Sequence, residues 1–147
     1  MSVLVSAPPG RRGLPQVDRG RLRARARRVL DELCHAASEL SVSLVDDAAI
    51  AELNARFRRL RGPTDVLSFS LVEGPHAERR GPLLGDVVIG VETAARQARR
   101  GGRSLDDEAA RLLVHGVLHL IGHDHARPAE TRAMRAEERR LWRALGI

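Results

Sequence analysis

The chain has 147 residues, 43% hydrophobic and 30% charged, which are values of one globular domain with a sizeable core and exclude a disordered chain. It has no run of about 18 apolar residues to cross a membrane, its opening MSVLVSAPPGRRG is not expected to act as a secretory leader, and its lone Cys34 excludes an internal disulfide or a multi-cysteine zinc site, so a cytoplasmic protein is expected. The formal charge is +6 and all 25 basic residues are arginine, a bias that genome composition explains better than any binding role does. Residues 1–61 nevertheless hold 12 arginines against 7 acidic residues, whereas residues 62–147 hold 13 against 12; a basic half is what a polyanion-binding face would show.

In chain order, VLVS reads as a short strand ended by Pro8, Pro9 and Gly10. A helix is expected from the N-cap Asp18 to about Leu40, with Leu22, Ala26, Val29, Leu33, Ala37 and Leu40 on one stripe. Ser41–Val45 alternates like a strand, and Asp46–Arg58 reads as a helix opened by aspartate at its positive end. After the Gly62-Pro63 break, DVLSFSLV (Asp65–Val72) is a strand, EGPHAERRGP a mobile polar loop, and LLGDVVIGV a second strand, most simply paired antiparallel with the first. ETAARQARR is helical to Gly101-Gly102. Ser104, with Asp107 in the capping-box position, opens the next helix, which runs to about Ile121 and stops at Gly122. Pro128 marks a turn before a charged amphipathic helix, Ala129 to Leu145, closed by Gly146. The pattern predicts a single α+β domain over residues 1–147, a small mixed sheet covered by helices.

The stretch HGVLHLIGHDH holds four of the six histidines. Imidazoles among Val, Leu and Ile cost desolvation unless both ring nitrogens are satisfied, by a core partner or by a shared cation. His115 and His119 are four residues apart and share a helix face at about 5–6 Å, close enough for both to reach one ion at about 2.0–2.1 Å. Gly122 permits a sharp exit that returns a third histidine to the same ion. His123 and His125 both follow it; the H-x3-H-x5-H spacing, also found in the metzincin proteases, favours His125 and leaves His123 facing solvent or substrate. Three neutral imidazoles leave a fourth position open, the composition of a catalytic zinc site. Asp124 either orients a ligand histidine, caps the turn, or completes an iron triad, and zinc is favoured over iron. Where the proteases carry a glutamate base after the first histidine, this chain has Gly116, which removes most support for a peptidase.

The same stretch resembles the H-G-x-L-H-L-x-G-[YH]-D-H motif of the YbeY family, bacterial metal-dependent endoribonucleases of ribosomal RNA maturation. LNARFRRLRGPTDVLSF (Leu53–Phe69) is similar to the family's L-N-x-x-[YF]-R-x-x-x-x-P-T-D-V-L-S-F, and LLGDVVIGVETAARQA to its L-G-D-[IV]-x-I-x-x-x-x-A-x-x-Q-A. Met134 and Glu138 fall where the family's last helix carries M and E. The likeness covers roughly residues 40–147 and places three motifs in the correct order. It implies a sheet of about four strands with a zincin-like metal helix, one zinc held by His115, His119 and His125, and a catalytic role for His115 and for Arg58, which also contacts RNA. His123 stands where most members have tyrosine.

With that resemblance, the expected function is a zinc-dependent endoribonuclease cutting single-stranded rRNA, at the 3′ end of the small-subunit rRNA and in ribosome quality control. The expected partners are the small ribosomal subunit and its assembly factors, with no membrane and no DNA. Arg58 would clamp a phosphate through its planar fork of donors; without the resemblance it reads as surface charge among Arg56, Arg59 and Arg61. Asp65 and Asp86 are candidate bases near the cleft, although a carboxylate that starts a strand is as often a turn residue. Two other readings are a non-catalytic zinc-stabilised rRNA-binding factor and a metallohydrolase of a peptide. With only Phe57, Phe69 and Trp142 as aromatics, stacking is not expected to be the main mode of RNA binding, and salt-sensitive backbone contacts by arginine would dominate.

Overall fold

Alternating apolar residues turn one side of each short strand toward a shared core. The strands are β1 (Val3–Ser6), β2 (Glu39–Val45), β3 (Val66–Ser70) and β4 (Leu83–Gly90). The structure, a computed structural model, describes residues 3–7, 13–70, 83–124 and 126–147. The sheet order is β1-β2-β4-β3. β2 lies parallel to both β1 and β4, and β3 closes the edge antiparallel to β4. The helices are α1 (Arg19–Glu32), α2 (Asp47–Leu53) with a π-helical continuation over Asn54–Arg58, α3 (Val91–Gly101), α4 (Leu105–Leu120) and α5 (Pro128–Leu145). This is the α+β architecture expected from the sequence, with the β3–β4 pairing antiparallel as anticipated. No helix among the described residues is long and apolar enough to cross a membrane.

Two elements differ from the expectation. Helix α1 does not continue to Leu40 but stops at Glu32, where Cys34 takes a left-handed conformation (φ 61°) and His35 N–H donates to Leu30 O at 2.8 Å. That is a Schellman ending built without glycine, so no residue of the usual stop type marks it in the sequence. Leu40 belongs instead to β2, the strand paired on both sides, where burial of Leu40, Val42 and Leu44 outweighs their fit to a helical stripe. The expected helix Asp46–Arg58 likewise splits, becoming π-helical from Asn54. The end of the β3 strand beyond Ser70 and the loop EGPHAERRGP lie outside the described residues.

Helix α4 is the centre of the packing. Leu113, Val114, Val117, Leu118 and Leu120 are buried, and α4 touches α1, α3, α5, β3 and β4. Its caps follow from the sequence: the Ser104 side chain accepts from Asp107 N–H at 3.1 Å, and three acidic residues complement the positive end of the helix. The one buried charge on it, Glu108, is bound by Arg103 at 2.8 Å. α4 lies on the face of the sheet that carries Ser68, Ser70 and Val87. The Ser68 hydroxyl donates to Gly116 O at 2.9 Å and that of Ser70 to Leu120 O at 3.4 Å, fastening the edge strand to the helix. The opposite face is covered by a smaller cluster of Ile50, Leu67 and Val88.

The approach of α4 to the sheet is set at Gly116. A β-carbon there would lie 2.8 Å from Val87 Cγ1 and 3.1 Å from Ser68 Oγ, closer than packed carbons tolerate. Intrinsic helix preference alone predicts that Gly116→Ala stabilises the protein by about 1 kcal/mol. The contact with Val87 predicts the opposite sign, a loss of about 1–3 kcal/mol from overpacking. Denaturant unfolding of the single variant decides between them.

Candidate functional site

Helix α4 presents His115 and His119, both half-buried, from one face. Their Nε2 atoms are 3.1 Å apart and their rings stand at 73° with centroids separated by 4.7 Å. Two imidazole nitrogens bound to one tetrahedral ion at about 2.0–2.1 Å would be about 3.3 Å apart, so the pair already has the spacing of a shared ligand set. Beyond them the helix ends in a second Schellman motif. Gly122 has φ 102°, its N–H donates to His119 O at 3.1 Å, and His123 N–H donates to Leu118 O at 2.9 Å. The glycine exit expected from the sequence is therefore present, and it fixes the backbone of His123. His125 lies outside the described residues. Among those residues no group of three His, Cys, Asp or Glu side chains could hold a metal ion.

The outer side of His115 has a partner to which the sequence reading assigned no role. Glu138 of α5 receives the His115 ring through Nδ1···Oε1 at 3.1 Å, with the carboxylate 15% exposed. A carboxylate on Nδ1 holds the ring proton there and leaves the Nε2 lone pair directed at His119, the arrangement that orients ligand histidines in metal sites. In the sequence Glu138 is only the glutamate of a family motif; its contact with His115 requires α5 folded across α4. The preceding residue of the same helix, Glu137, is held below the ordinary carboxylate range, chiefly by its hydrogen bond to Arg140 and to a smaller degree by the charge of His123.

Arg58 comes to the site from a different direction. Leu53 ends α2, and the following π-helical turn closes with Arg59 left-handed (φ 55°, ψ 31°) and Leu60 N–H donating to Asn54 O at 3.3 Å. A non-glycine residue in that conformation costs about 1–2 kcal/mol. Asn54 offsets it: its side chain is 5% exposed, and its Nδ2 donates to Gly62 O at 3.0 Å across the loop. Asn54 is thus the internal brace of the turn, visible in the sequence only as one letter of a motif.

These elements enclose a cleft of about 480 Å³ whose lining includes Arg58, Asp65, His115, His119, His123 and Asp124. Residues more than fifty positions apart in the chain therefore share one concave surface. Asp65 lines it with both oxygens engaged: Oδ1 accepts from the Val66 backbone N–H at 2.8 Å, the contact of a turn residue, and Oδ2 from the Gln97 side-chain amide at 3.2 Å. Asp86 is not among the lining residues. It neighbours Val87, which faces α4, so strand alternation turns Asp86 to the opposite face, paired with Phe69. Asp124 is exposed.

The brace can be tested apart from any activity. Replacing Asn54 by Ala leaves Gly62 O without its donor and should lower stability by about 1–3 kcal/mol. It should also speed tryptic cutting after Arg56, Arg58, Arg59 and Arg61, read by mass spectrometry of a limited digest. Unchanged digestion at these sites would mean that the π-helical turn holds itself.

The sequence matches the family described as Endoribonuclease YbeY over residues 12–146. Endoribonuclease YbeY of Anaeromyxobacter dehalogenans is 51% identical over 127 residues, which are 86% of this chain and 64% of that protein. The protein of the same name from Thermobifida fusca is 48% identical over 127 residues, 83% of this chain and 81% of that protein. That from Myxococcus xanthus is 49% identical over 116 residues, 79% of this chain and 40% of that protein. The chain thus spans less than two thirds of the length of the Anaeromyxobacter and Myxococcus relatives. In fold, it is similar to the solution structure of TM1509 from Thermotoga maritima, with a TM-score of 0.61 over 97% of this chain and 88% of that one at 21% identity. With a match across nearly its whole length and relatives half identical to it, this chain belongs to the Endoribonuclease YbeY family.

Proposed function

We propose that the protein is a zinc-dependent endoribonuclease that cuts single-stranded RNA, acting in the cytoplasm on rRNA of the small ribosomal subunit, at its 3′ end and in ribosome quality control, together with subunit assembly factors. The observation that carries this reading is the convergence of Arg58 with the His115–His119 pair on one cleft. Among the described residues, Arg58 has no carboxylate within ion-pair distance, whereas Arg25, Arg96, Arg103 and Arg140 each do. A guanidinium without an internal counter-ion beside two converging imidazoles is suited to an anionic substrate.

The donors fit zinc: two Nε2 atoms at 3.1 Å, one of the rings set by a carboxylate on its far nitrogen. His115, His119 and, by the spacing, His125 would hold the ion. Zinc in such a site supplies Lewis acidity toward a phosphoryl oxygen and toward water. The remaining chemistry belongs to the chain. Glu138 keeps the His115 proton on Nδ1. Arg58 pairs its fork of donors with phosphate oxygens, an interaction that strengthens as charge builds on the phosphorus group. Asn54 holds the turn that aims Arg58, and Asp65 keeps β3 in register with the cleft through Val66 and Gln97.

The peptidase reading finds no support in this geometry. The position after the first histidine lies against Val87, where even a β-carbon is crowded, so it has no room for a glutamate aimed at the cleft. A purely structural zinc would be closed by four protein ligands; an open cleft of about 480 Å³ at the histidines favours catalysis.

Metal analysis of purified protein should find one zinc per chain. His119→Ala should lose it and melt at lower temperature, because metal binding feeds into folding. Glu138→Gln should retain the fold but bind zinc about 10–100-fold more weakly, measured by competition with a chelator. For chemistry, Arg58→Glu should retain zinc and lose about a hundredfold or more in cleavage rate, some 2–4 kcal/mol of transition-state stabilisation. Arg58→Lys should recover part of that loss. Full activity in Arg58→Glu with zinc bound would assign the phosphate contact to another residue.

A further inference from the structure

The turn that carries Arg58 has a second exposed feature that the cleft does not use. Phe57 is 57% exposed and Leu60 55%, the two large apolar side chains of a segment that also holds Arg56, Arg58, Arg59 and Arg61. No acidic residue occurs from Leu53 to Thr64, and among the described residues none of the four arginines has a carboxylate partner. The other aromatic rings are engaged: Trp142 lies under the Arg111 guanidinium at 3.9 Å, and Phe69 packs on the Ile50, Leu67 and Val88 cluster. Phe57 meets the Phe69 ring edge-on, at 5.3 Å and 72°, and the Arg56 guanidinium stands 5.7 Å from its ring centroid. It is therefore an exposed ring, fixed in orientation, among unpaired cations. π-Helical turns of this kind are frequent at functional sites.

Its position fits a nucleic-acid strand. Among the described residues β3 is the terminal strand of the sheet, with Ser68 and Ser70 lining the cleft on one face and Phe69, in contact with Phe57, on the other. A polyanion whose phosphate meets Arg58 in the cleft, and which leaves over the β3 edge, meets Phe57 next. Aromatic rings among arginines bind single strands by stacking a base while the cations follow the backbone. We infer that Phe57 is the stacking platform for a base of single-stranded RNA flanking the phosphate bound at Arg58. This inference rests on the nuclease reading and adds the subsite that holds the strand.

The probe is a set of RNA oligonucleotides of one sequence in which an abasic ribose is placed at each position in turn. Binding to zinc-loaded wild-type protein and to Phe57→Ala, Phe57→Leu and Phe57→Trp is measured at fixed low salt. Phe57→Ala and Phe57→Leu should weaken binding of the intact strand by about 5- to 100-fold, the range of one base–aromatic stack, while Phe57→Trp retains it. One abasic position should lower affinity for the wild type and lower it no further for Phe57→Ala. If Phe57→Leu binds like the wild type while Phe57→Ala does not, the ring is only an apolar cover for Phe69 and the inference is overturned. Equal abasic penalties in all four proteins, or a Phe57→Ala that binds RNA normally but loses self-association or a protein contact, overturn it as well. Failure of the wild type to bind any of these RNAs removes the nuclease reading itself, which separates that failure from loss of the stacking platform alone.

Discussion

A β-carbon at position 116 would sit 2.8 Å from Val87 Cγ1, and that closeness between α4 and the sheet is the constraint on which the site depends. It lets the Ser68 and Ser70 hydroxyls reach carbonyls of α4, so the edge strand and the helix hold one another directly. Because β3 begins at Val66, shortly after the loop that Asn54 braces, the same contact fixes how far Arg58 stands from the histidines. A helix displaced outward by one methyl group would loosen both walls of the cleft together. Glycine at 116 therefore has two consequences: it leaves no peptidase base, and it sets the spacing of the walls.

The second layer of organisation is the support around each functional side chain. His115 is set by Glu138 from α5, Arg58 by the Asn54 brace and the left-handed Arg59, and the backbone of His123 by the Schellman turn at Gly122. Each support comes from a different element, and each holds a rotamer or a backbone angle that would otherwise be lost to conformational entropy. Such preorganisation matters more for an anionic, charge-gaining substrate than added contact area, since donors already in place need no reorganisation as charge develops.

Charge is distributed in keeping with this plan. Several arginines on the helices are matched by carboxylates of neighbouring helices, as with Arg25–Asp107, Arg96–Asp47 and Arg140–Glu32, and exposed pairs of this kind add little stability individually. In the turn over residues 56–61 the four arginines have no acidic neighbour in sequence and, among the described residues, none has a carboxylate partner. The net charge of the chain says less about binding than this local imbalance, because a cation already paired has little left to offer a phosphate.

Elements whose causes are local were legible in the sequence. The caps at Asp18, Asp46 and Ser104, the buried character of α4, the His115–His119 face and the glycine exit at Gly122 all follow from side chains within a few residues of one another. Tertiary structure decided the rest. Leu40 fits a helical stripe and a strand equally well, and pairing of β2 on both sides assigned it to the strand. Cys34 ends α1 in a conformation that its side chain does not advertise. Asp65 and Asp86 look alike as carboxylates beside strands, yet Asp65, just before β3, lines the cleft, whereas alternation along β4 turns Asp86 to the far face. Glu138 and Asn54 gained their roles only when α5 crossed α4 and the loop closed on Gly62, contacts between residues far apart in the chain or across a turn that no local periodicity records. Local patterns encode which groups a segment offers; which of them meet depends on long-range packing, and the cleft is made of such meetings.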